Sequence, residues 1–285
     1  MAAKDFLDEI FQNGLLLGKE VPYRNFVFTK DDSGAYALLK YTDIGEEEIV
    51  IPSIFKRIGK GAFENNQTLK KVIFSRGLKE IDDCAFKGCK NLEKVQFANT
   101  IYRIGMEAFR YCTSLKTVEQ NGSKALSIED FAFADCSSLS RLVLNKVSEI
   151  RADAFSNTGL LVVNILGVID DMDIATTTFE GTNTLMLLDL TGFKKRIPMN
   201  LFKGNKILKQ VKFSGTLKEI GNFAFEGCEG IKKVIFVEGE QVGKRVVLVS
   251  GGNIGVSKAD WYRYDEKTKK STFLKMMQPA RGKKW

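Results

Sequence analysis

A motif of 22 to 24 residues recurs eight times along the chain, and this periodicity restricts the fold more than any other feature. Each unit carries an Ile followed five residues later by a Phe. The Ile positions are Ile58, Ile81, Ile104, Ile128, Ile150, Ile174, Ile197 and Ile220. Because so short a unit cannot bury its apolar side chains alone, each must stack on its neighbours. The sequence therefore predicts a solenoid.

A Phe column and an aliphatic triplet complete each unit. The Phe column consists of Phe63, Phe86, Phe109, Phe133, Phe155, Phe179, Phe202 and Phe225. The triplet has spacings of three and two residues, as in Leu69, Val72 and Phe74. Its last two positions alternate with polar residues, which is the period of a half-buried strand. We expect these strands to pair in parallel from coil to coil; the third unit departs from the pattern with Gln120 at the last place.

Units such as residues 78–97, LKEIDDCAFKGCKNLEKVQF, resemble the BspA-like leucine-rich repeat, whose pattern reads approximately L-x-x-I-x-x-x-A-F-x-x-C-x-x-L-x-x-I-x-I-P. The resemblance covers about residues 46–237. It implies a leucine-rich repeat solenoid of the β-rich α/β type. About eight 23-residue coils would place a parallel sheet on the concave face, with caps at both ends. It also implies a role in surface adhesion or attachment to host matrix proteins.

Three segments are expected. Residues 1–45 form an N-terminal cap, with an apolar helical face at residues 6–11 and a hairpin of residues 23–29 and 35–41. Residues 46–237 form the solenoid, and residues 238–285 a basic C-terminal β cap and tail. The repeat is least regular between about residues 118 and 175, where a recognition loop is most easily accommodated.

The chain contains no histidine, which excludes Ser-His-Asp and Cys-His nucleophile systems and His-ligated zinc. Cys89, Cys112, Cys136 and Cys228 each lie three residues after a Phe of the column. Asn and Thr occupy the same place in other units, which favours a small side chain that bonds a turn backbone over a metal site. The sequence therefore predicts a protein that is not an enzyme, with no catalytic residue, metal or cofactor.

The outward positions of the predicted strands are the candidate binding residues. They mix charged, polar and apolar side chains, which is typical of a surface that contacts another protein. The candidates are Lys71, Lys94, Gln96, Glu119, Arg141, Val143, Val162, Asn164, Leu187, Asp189, Lys212 and Lys233. We expect a non-enzymatic protein-recognition module that binds a protein partner through the sheet face and the irregular middle repeats.

The C-terminal segment supports an alternative function. Residues 238–285 hold eleven basic and five acidic residues, and so account for most of the formal net charge of +8. In this alternative the solenoid is a rigid scaffold, and the segment binds nucleic acid or an anionic surface. Its candidates are Trp261, Tyr262, Arg263, Lys267, Lys269 and Lys270.

Targeting signals are not evident in the sequence. The first residues lack a charged region followed by an apolar core, and no stretch approaches the roughly 18 apolar residues of a transmembrane helix. We expect no transmembrane segment. The expected location is cytoplasmic, unless a secretion signal has been removed, in which case it is the cell surface or the exterior.

Overall fold

The structure, a computed structural model, describes residues 20–23, 25–30, 34–120, 122–237, 247–248, 256, 259–265 and 270–274. The first twelve strands within these ranges are β1 Val21–Tyr23, β2 Phe26–Lys30, β3 Tyr36–Tyr41, β4 Glu48–Ile51, β5 Phe55–Ile58, β6 Lys71–Phe74, β7 Glu80–Ile81, β8 Lys94–Gln96, β9 Arg103–Ile104, β10 Thr117–Gln120, β11 Leu126–Ile128 and β12 Arg141–Leu144. The remaining strands are β13 Val147–Ile150, β14 Val162–Ile165, β15 Val168–Ile174, β16 Leu187–Leu190, β17 Arg196–Ile197, β18 Gln210–Ser214, β19 Glu219–Ile220, β20 Lys233–Val237, β21 Val247–Leu248, β22 Asp260–Asp265 and β23 Lys270–Leu274. Within these ranges, no helix has the length and apolar character needed to cross a lipid bilayer.

The predicted parallel sheet is present and has eleven strands; we call it the long sheet. Its order is β4, β6, β8, β10, β12, β14, β16, β18, β20, β22, β23. All neighbours pair in parallel except β22 and β23, which are antiparallel. Equivalent residues of successive coils lie side by side, as Val72 does with Val95. Because the apolar residues alternate along each strand, one face of the long sheet is buried and the other is open.

A second parallel stack, which the sequence did not predict, holds the Ile column. Strands β5, β7, β9, β11, β13 and β15 continue from the β1–β2–β3 meander in a nine-stranded sheet, and β17, β19 and β21 form a separate three-stranded sheet. Each Ile of the column ends one of these strands. Strands as short as Glu80–Ile81 contain too few residues to show the alternation that identifies a strand.

The Phe column runs through the core between the sheets. All eight rings are at most 3% exposed. Successive ring centroids lie 4.7 to 5.6 Å apart, with planes within 25° of parallel. Tyr41 stacks on Phe63 at 5.0 Å and so extends the column into the N-terminal hairpin. Rings at this spacing bury a continuous apolar spine, which stacking of the coils requires.

The segment that follows each Ile is built from turns. The residue two positions after each Phe of the column has a φ between 55° and 85°, from Asn65 to Gly227. This left-handed conformation suits Gly, Asn and Asp, which occupy seven of the eight places. Tyr111 is the exception, and the Arg110 guanidinium lies 4.8 Å from its ring centroid. A turn at a fixed place in every coil keeps the coils congruent.

The irregular middle units distort the second stack and leave the long sheet in register. Strands β10, β12 and β14 pair residue for residue over four positions. By contrast, the pairing of β13 with β15 is irregular. Val147 pairs with Val168 and Glu149 pairs with Asp173, so an advance of two residues along β13 corresponds to an advance of five along β15. The long sheet therefore keeps a regular strand register through the region predicted to be irregular.

Gln120 explains why one unit breaks the apolar column. Its side chain is 3% exposed. The Nε2 group donates to the carbonyls of Gly122 and Lys124, both at 3.1 Å, and Oε1 accepts from the amides of Asn145 and Lys146 at 3.0 and 3.1 Å. One buried side chain thus satisfies four backbone groups of the bend between two coils.

Both ends of the solenoid carry antiparallel strands. The predicted N-terminal hairpin is present as β2 and β3, and β22 with β23 extends the long sheet at the other end. The predicted helical face at residues 6–11 lies outside the described residues. The segment boundaries at residues 45 and 237 stay predictions.

Candidate functional site

All twelve predicted binding residues lie on the open face of the long sheet, in two parallel rows. The first row holds Glu48, Lys71, Lys94, Thr117, Arg141, Val162, Leu187, Gln210, Lys233 and Asp260. The second row holds Val50, Ile73, Gln96, Glu119, Val143, Asn164, Asp189, Lys212, Ile235 and Tyr262. The buried ladder between them aligns Leu142, Val163 and Leu188.

A third row, the edge row, consists of the residue directly before each strand. Its members are Glu47, Lys70, Glu93, Lys116, Ser140, Leu161, Met186, Lys209 and Lys232. Backbone hydrogen bonds join them coil to coil; for example, the Met186 amide donates to the Leu161 carbonyl at 2.9 Å. The sequence did not indicate this row, because it precedes the alternating positions that identify a strand. The sequence feature that could have revealed the row is that Leu161 and Met186 stand where most other coils have a charged residue.

An apolar cluster, the central patch, lies across the edge row and the first row. It is formed by Leu161, Met186 and Leu187, which are 39%, 41% and 42% exposed. Val162 lies directly beside Leu187 in the register, and Val143 beside Asn164. Backbone hydrogen bonds place the three large, exposed residues of the patch at adjacent positions of two neighbouring coils. Soluble monomers seldom leave a group of large apolar side chains exposed without a binding role.

Ion pairs join neighbouring strands along the open face, and those of Arg141 and Lys212 lie on the two sides of the central patch. Lys71 Nζ lies 2.7 Å from Glu48 Oε1, Arg141 Nε lies 3.2 Å from Glu119 Oε1, and Lys212 Nζ lies 3.4 Å from Asp189 Oδ2. In the edge row, bonding to Glu47 raises the pKa of Lys70, and bonding to Lys116 lowers the pKa of Glu93. Exposed pairs of this kind contribute little to stability, because water screens them. They set the local charge of the face rather than its stability.

The outer surface of the second stack differs from the open face, because its charged side chains form a network of ion pairs. Arg103 lies 2.7 Å from Glu129, 3.0 Å from Asp82 and 3.4 Å from Asp83. The hydrogen bond to Glu129 is the main cause of a raised pKa of Arg103. Burial raises the pKa of Asp82, although Arg57 and Arg103 both oppose the shift. Because these charges satisfy one another, this face offers fewer free groups to a partner than the long sheet.

The cysteine column is structural, as the spacing indicated. The Sγ atoms of Cys89, Cys112, Cys136 and Cys228 lie 3.1 to 3.2 Å from the carbonyl oxygen of the preceding coil's column Phe. Burial raises the pKa of Cys89 and of Cys228 to about 12. A neutral, buried thiol is neither a nucleophile nor a metal ligand. In the part of the chain that the structure describes, no three Cys, Asp or Glu residues are grouped to hold a metal ion.

Four of the six C-terminal candidate residues lie in strands that the structure describes. Trp261, Tyr262 and Arg263 belong to β22, and Lys270 begins β23. Tyr262 lies on the second row, and the Lys233 ammonium is 4.9 Å from its ring centroid. Lys267 and Lys269 lie outside the described residues. The structure brings Tyr262 to the same open face as the solenoid candidates.

Known proteins share both the repeat and the fold. A family model described as the BspA type leucine rich repeat region matches in six copies, over residues 40–162 and 145–245. The crystal structure of the leucine-rich repeat protein of T. pallidum is 20% identical, with a TM-score of 0.51, over 75% of this chain and 91% of that chain.

A leucine-rich cell surface protein from Faecalibacterium prausnitzii A2-165 is 19% identical, with a TM-score of 0.48, over 85% of this chain and 81% of that chain. No curated protein gives a significant sequence match. At this identity the T. pallidum structure supports the fold alone, whereas the family model spans most of the chain. The chain belongs to the BspA-type leucine-rich repeat family.

Proposed function

We propose that this chain is a non-enzymatic protein-recognition module that binds a protein partner through the open face of the long sheet. The observation that carries the proposal is the central patch of Leu161, Met186 and Leu187. A protein interface needs a desolvated apolar centre surrounded by polar groups. The patch supplies the centre, and the ion pairs of the flanking strands supply the surroundings.

The rigidity of the face supports the same proposal. The backbone of the rows is held by parallel pairing, for example between Arg141 and Val162 and between Val162 and Leu187. A surface ordered before binding loses less conformational entropy when a partner covers it. Leu161 lies within the irregular middle repeats that we expect to take part in recognition, and Met186 and Leu187 lie on the coil that follows.

Two observations favour binding over catalysis. Four of the five thiols are buried, and three acidic groups of the second stack, on Asp82, Asp83 and Glu129, are engaged by Arg103. A catalytic site needs a nucleophile or a general base that is free to reach a substrate. The open face of the long sheet presents flat rows of side chains instead.

The proposal also includes a cellular role: the protein is displayed on the surface of the cell that makes it and takes part in adhesion. Its support is the family resemblance, which implies adhesion or attachment to host proteins. Immunolabelling of intact cells of the native source tests this part. Antibody that binds intact cells is the expected result, and labelling only after the cells are broken would contradict a surface role.

Cross-linking mass spectrometry in the native source would identify the partner, and a matched pair of variants would locate its site. The first variant carries Leu161→Ser, Met186→Ser and Leu187→Ser. The control carries Ile44→Ser, Met106→Ser and Met199→Ser, at positions that are at least equally exposed but lie outside the patch. Loss of the central patch should weaken partner binding at least about tenfold, with the control unchanged. Equal binding by both folded variants would reject the patch.

A further inference from the structure

The edge row has a balanced charge pattern on the N-terminal side of the central patch. Glu47, Lys70, Glu93 and Lys116 alternate in sign from coil to coil. Lys70 Nζ lies 2.7 Å from Glu47 Oε1, and Lys116 is hydrogen-bonded to Glu93. Lys70 and Lys116 are therefore each paired with a glutamate of the coil before them.

The charge pattern changes on the C-terminal side of the patch, where the edge row has lysines on two successive coils, Lys209 and Lys232. The Lys209 amide donates to the Met186 carbonyl at 2.9 Å, and the Lys232 amide donates to the Lys209 carbonyl at 3.0 Å. Both side chains are exposed, and neither forms an ion pair with the residues that the structure describes. Neighbouring strands are about 4.8 Å apart, so the two lysines occupy adjacent places in the edge row. Like charges in this arrangement repel each other.

We infer, resting on the proposed function above, that the partner presents an acidic segment to this face. Its apolar side chains would cover Leu161, Met186 and Leu187. Its Asp or Glu carboxylates would lie against Lys209, which is next to Met186 in the edge row, and against Lys232, which is one coil further along. Such a segment removes the apolar surface from water and at the same time relieves the repulsion between the two lysines.

The arrangement fits an acidic protein better than a nucleic acid. A phosphate backbone requires a continuous basic track, and the edge row contains Glu47 and Glu93 while the second row contains Asp189. Bases bind on exposed aromatic rings, whereas the patch beside the lysines is aliphatic and thioether. Two adjacent cations bordering an apolar patch instead match a short amphipathic peptide.

The test selects peptides against the full chain and then measures their binding to variants. Random twelve-residue peptides displayed on phage are the probe, and fluorescence anisotropy of the enriched peptides gives the affinity. The lysine variant carries Lys209→Gln and Lys232→Gln. Its control carries Lys60→Gln and Lys90→Gln, two exposed lysines on coils remote from the patch and outside the rows of the open face, so that the net charge changes equally.

We expect enriched peptides that combine aliphatic or aromatic residues with Asp or Glu. The lysine variant should bind them about three- to tenfold more weakly than the control variant, as two exposed charge pairs would give. The difference should shrink when salt is raised from about 0.05 M to about 0.5 M. The triple serine variant of the central patch should also lose binding.

Three outcomes would overturn the inference, and they are distinguishable. Peptides without acidic residues that still require the patch would overturn the acidic partner and leave the proposed function standing. Peptides indifferent to both the patch and the lysines would overturn both. A single-stranded DNA of about 20 nucleotides that binds through Lys209 and Lys232 but does not need the patch would assign the lysines to a nucleic acid.

Discussion

The rings of Phe86 and Phe109 stack with centroids 5.1 Å apart and planes 1° from parallel, although 23 residues separate them in sequence. Phe133 continues the stack on the other side of Phe109 at 5.0 Å. Every internal ring of the column has this environment on both faces. The column is therefore the contact through which each coil supports the next.

Truncating an internal ring should destabilise the solenoid strongly. Phe109→Ala removes a side chain that is fully buried and leaves a cavity between two rings, so we expect a loss of about 3–5 kcal/mol in the free energy of unfolding. Denaturant unfolding followed by circular dichroism measures the change. Tyr111→Ala, two residues away and 40% exposed, is the control and should cost much less. A loss below about 1 kcal/mol for Phe109→Ala would contradict the role of the column.

Restoring the repeat pattern at Gln120 should weaken the protein. Leu occupies the equivalent place in β12, but Gln120→Leu would remove four side-chain hydrogen bonds to buried or half-buried backbone groups. The Asn145 amide would keep its 3.4 Å bond to the backbone carbonyl of residue 120. Each unsatisfied buried group costs about 1–3 kcal/mol, so the gain in apolar burial does not compensate. Thermal denaturation of both proteins tests this. A variant more stable than the parent would show that the hydrogen bonds of Gln120 are dispensable.

Close approach between coils makes Gly167 more critical than Gly204. A Cβ added at Gly167 would lie 2.0 Å from the backbone oxygen of Asn145, whereas one at Gly204 would meet no atom within 4 Å. Gly204 has a φ of +85°, so Gly204→Ala should cost about 1–2 kcal/mol through backbone strain alone. Gly167→Ala must displace a neighbouring coil and should cost more. Equal stability losses in urea unfolding would refute the close approach.

The column thiols should resist modification in the native state. Burial keeps the pKa of Cys89 at about 12, so almost no thiolate forms at neutral pH. We expect half-buried Cys84, outside the column, to react first with an alkylating reagent, as measured by mass spectrometry of native and denatured protein. Rapid native labelling of Cys89 would argue against the buried ladder. Because an unfolded thiol ionises near about pH 8.5, stability should fall as the pH rises from there toward about 12.

The basic C-terminal segment should not be required for protein recognition. Removing it after Val237 would expose the edge of β20, because β22 pairs with that strand throughout. Charge substitutions avoid this problem. Lys267→Gln, Lys269→Gln and Lys270→Gln should leave binding of the cross-linked partner unchanged. A loss of salt-dependent binding to heparin or DNA in this variant would instead support the anionic-surface alternative.

The recurring residues predicted the solenoid, the long sheet and its outward rows, because each landmark repeats eight times at nearly constant spacing. Two features did not follow from the pattern. The second stack uses strands of two to seven residues, of which Glu80–Ile81 is too short to show alternation. Its charged surface becomes visible only when Arg103 is seen beside three carboxylates.

The candidate site was predicted in part for a related reason. Leu187 and Val162 occupy outward strand positions, so alternation identified them. Leu161 and Met186 precede their strands, where no periodic rule distinguishes an exposed residue from a corner of the core. Their contribution depends on the lateral register of neighbouring coils, which places the two side by side with Leu187.

Methionine oxidation offers the most direct test of recognition through the central patch. Met186, Met106 and Met199 are 41%, 45% and 47% exposed, so in the free chain they should form sulfoxides at similar rates. With the cross-linked partner bound, peptide mass spectrometry should show Met186 protected and Met106 and Met199 oxidised as before. Protection of Met106 or Met199, with Met186 still oxidised at its free rate, would place the partner elsewhere and contradict the account.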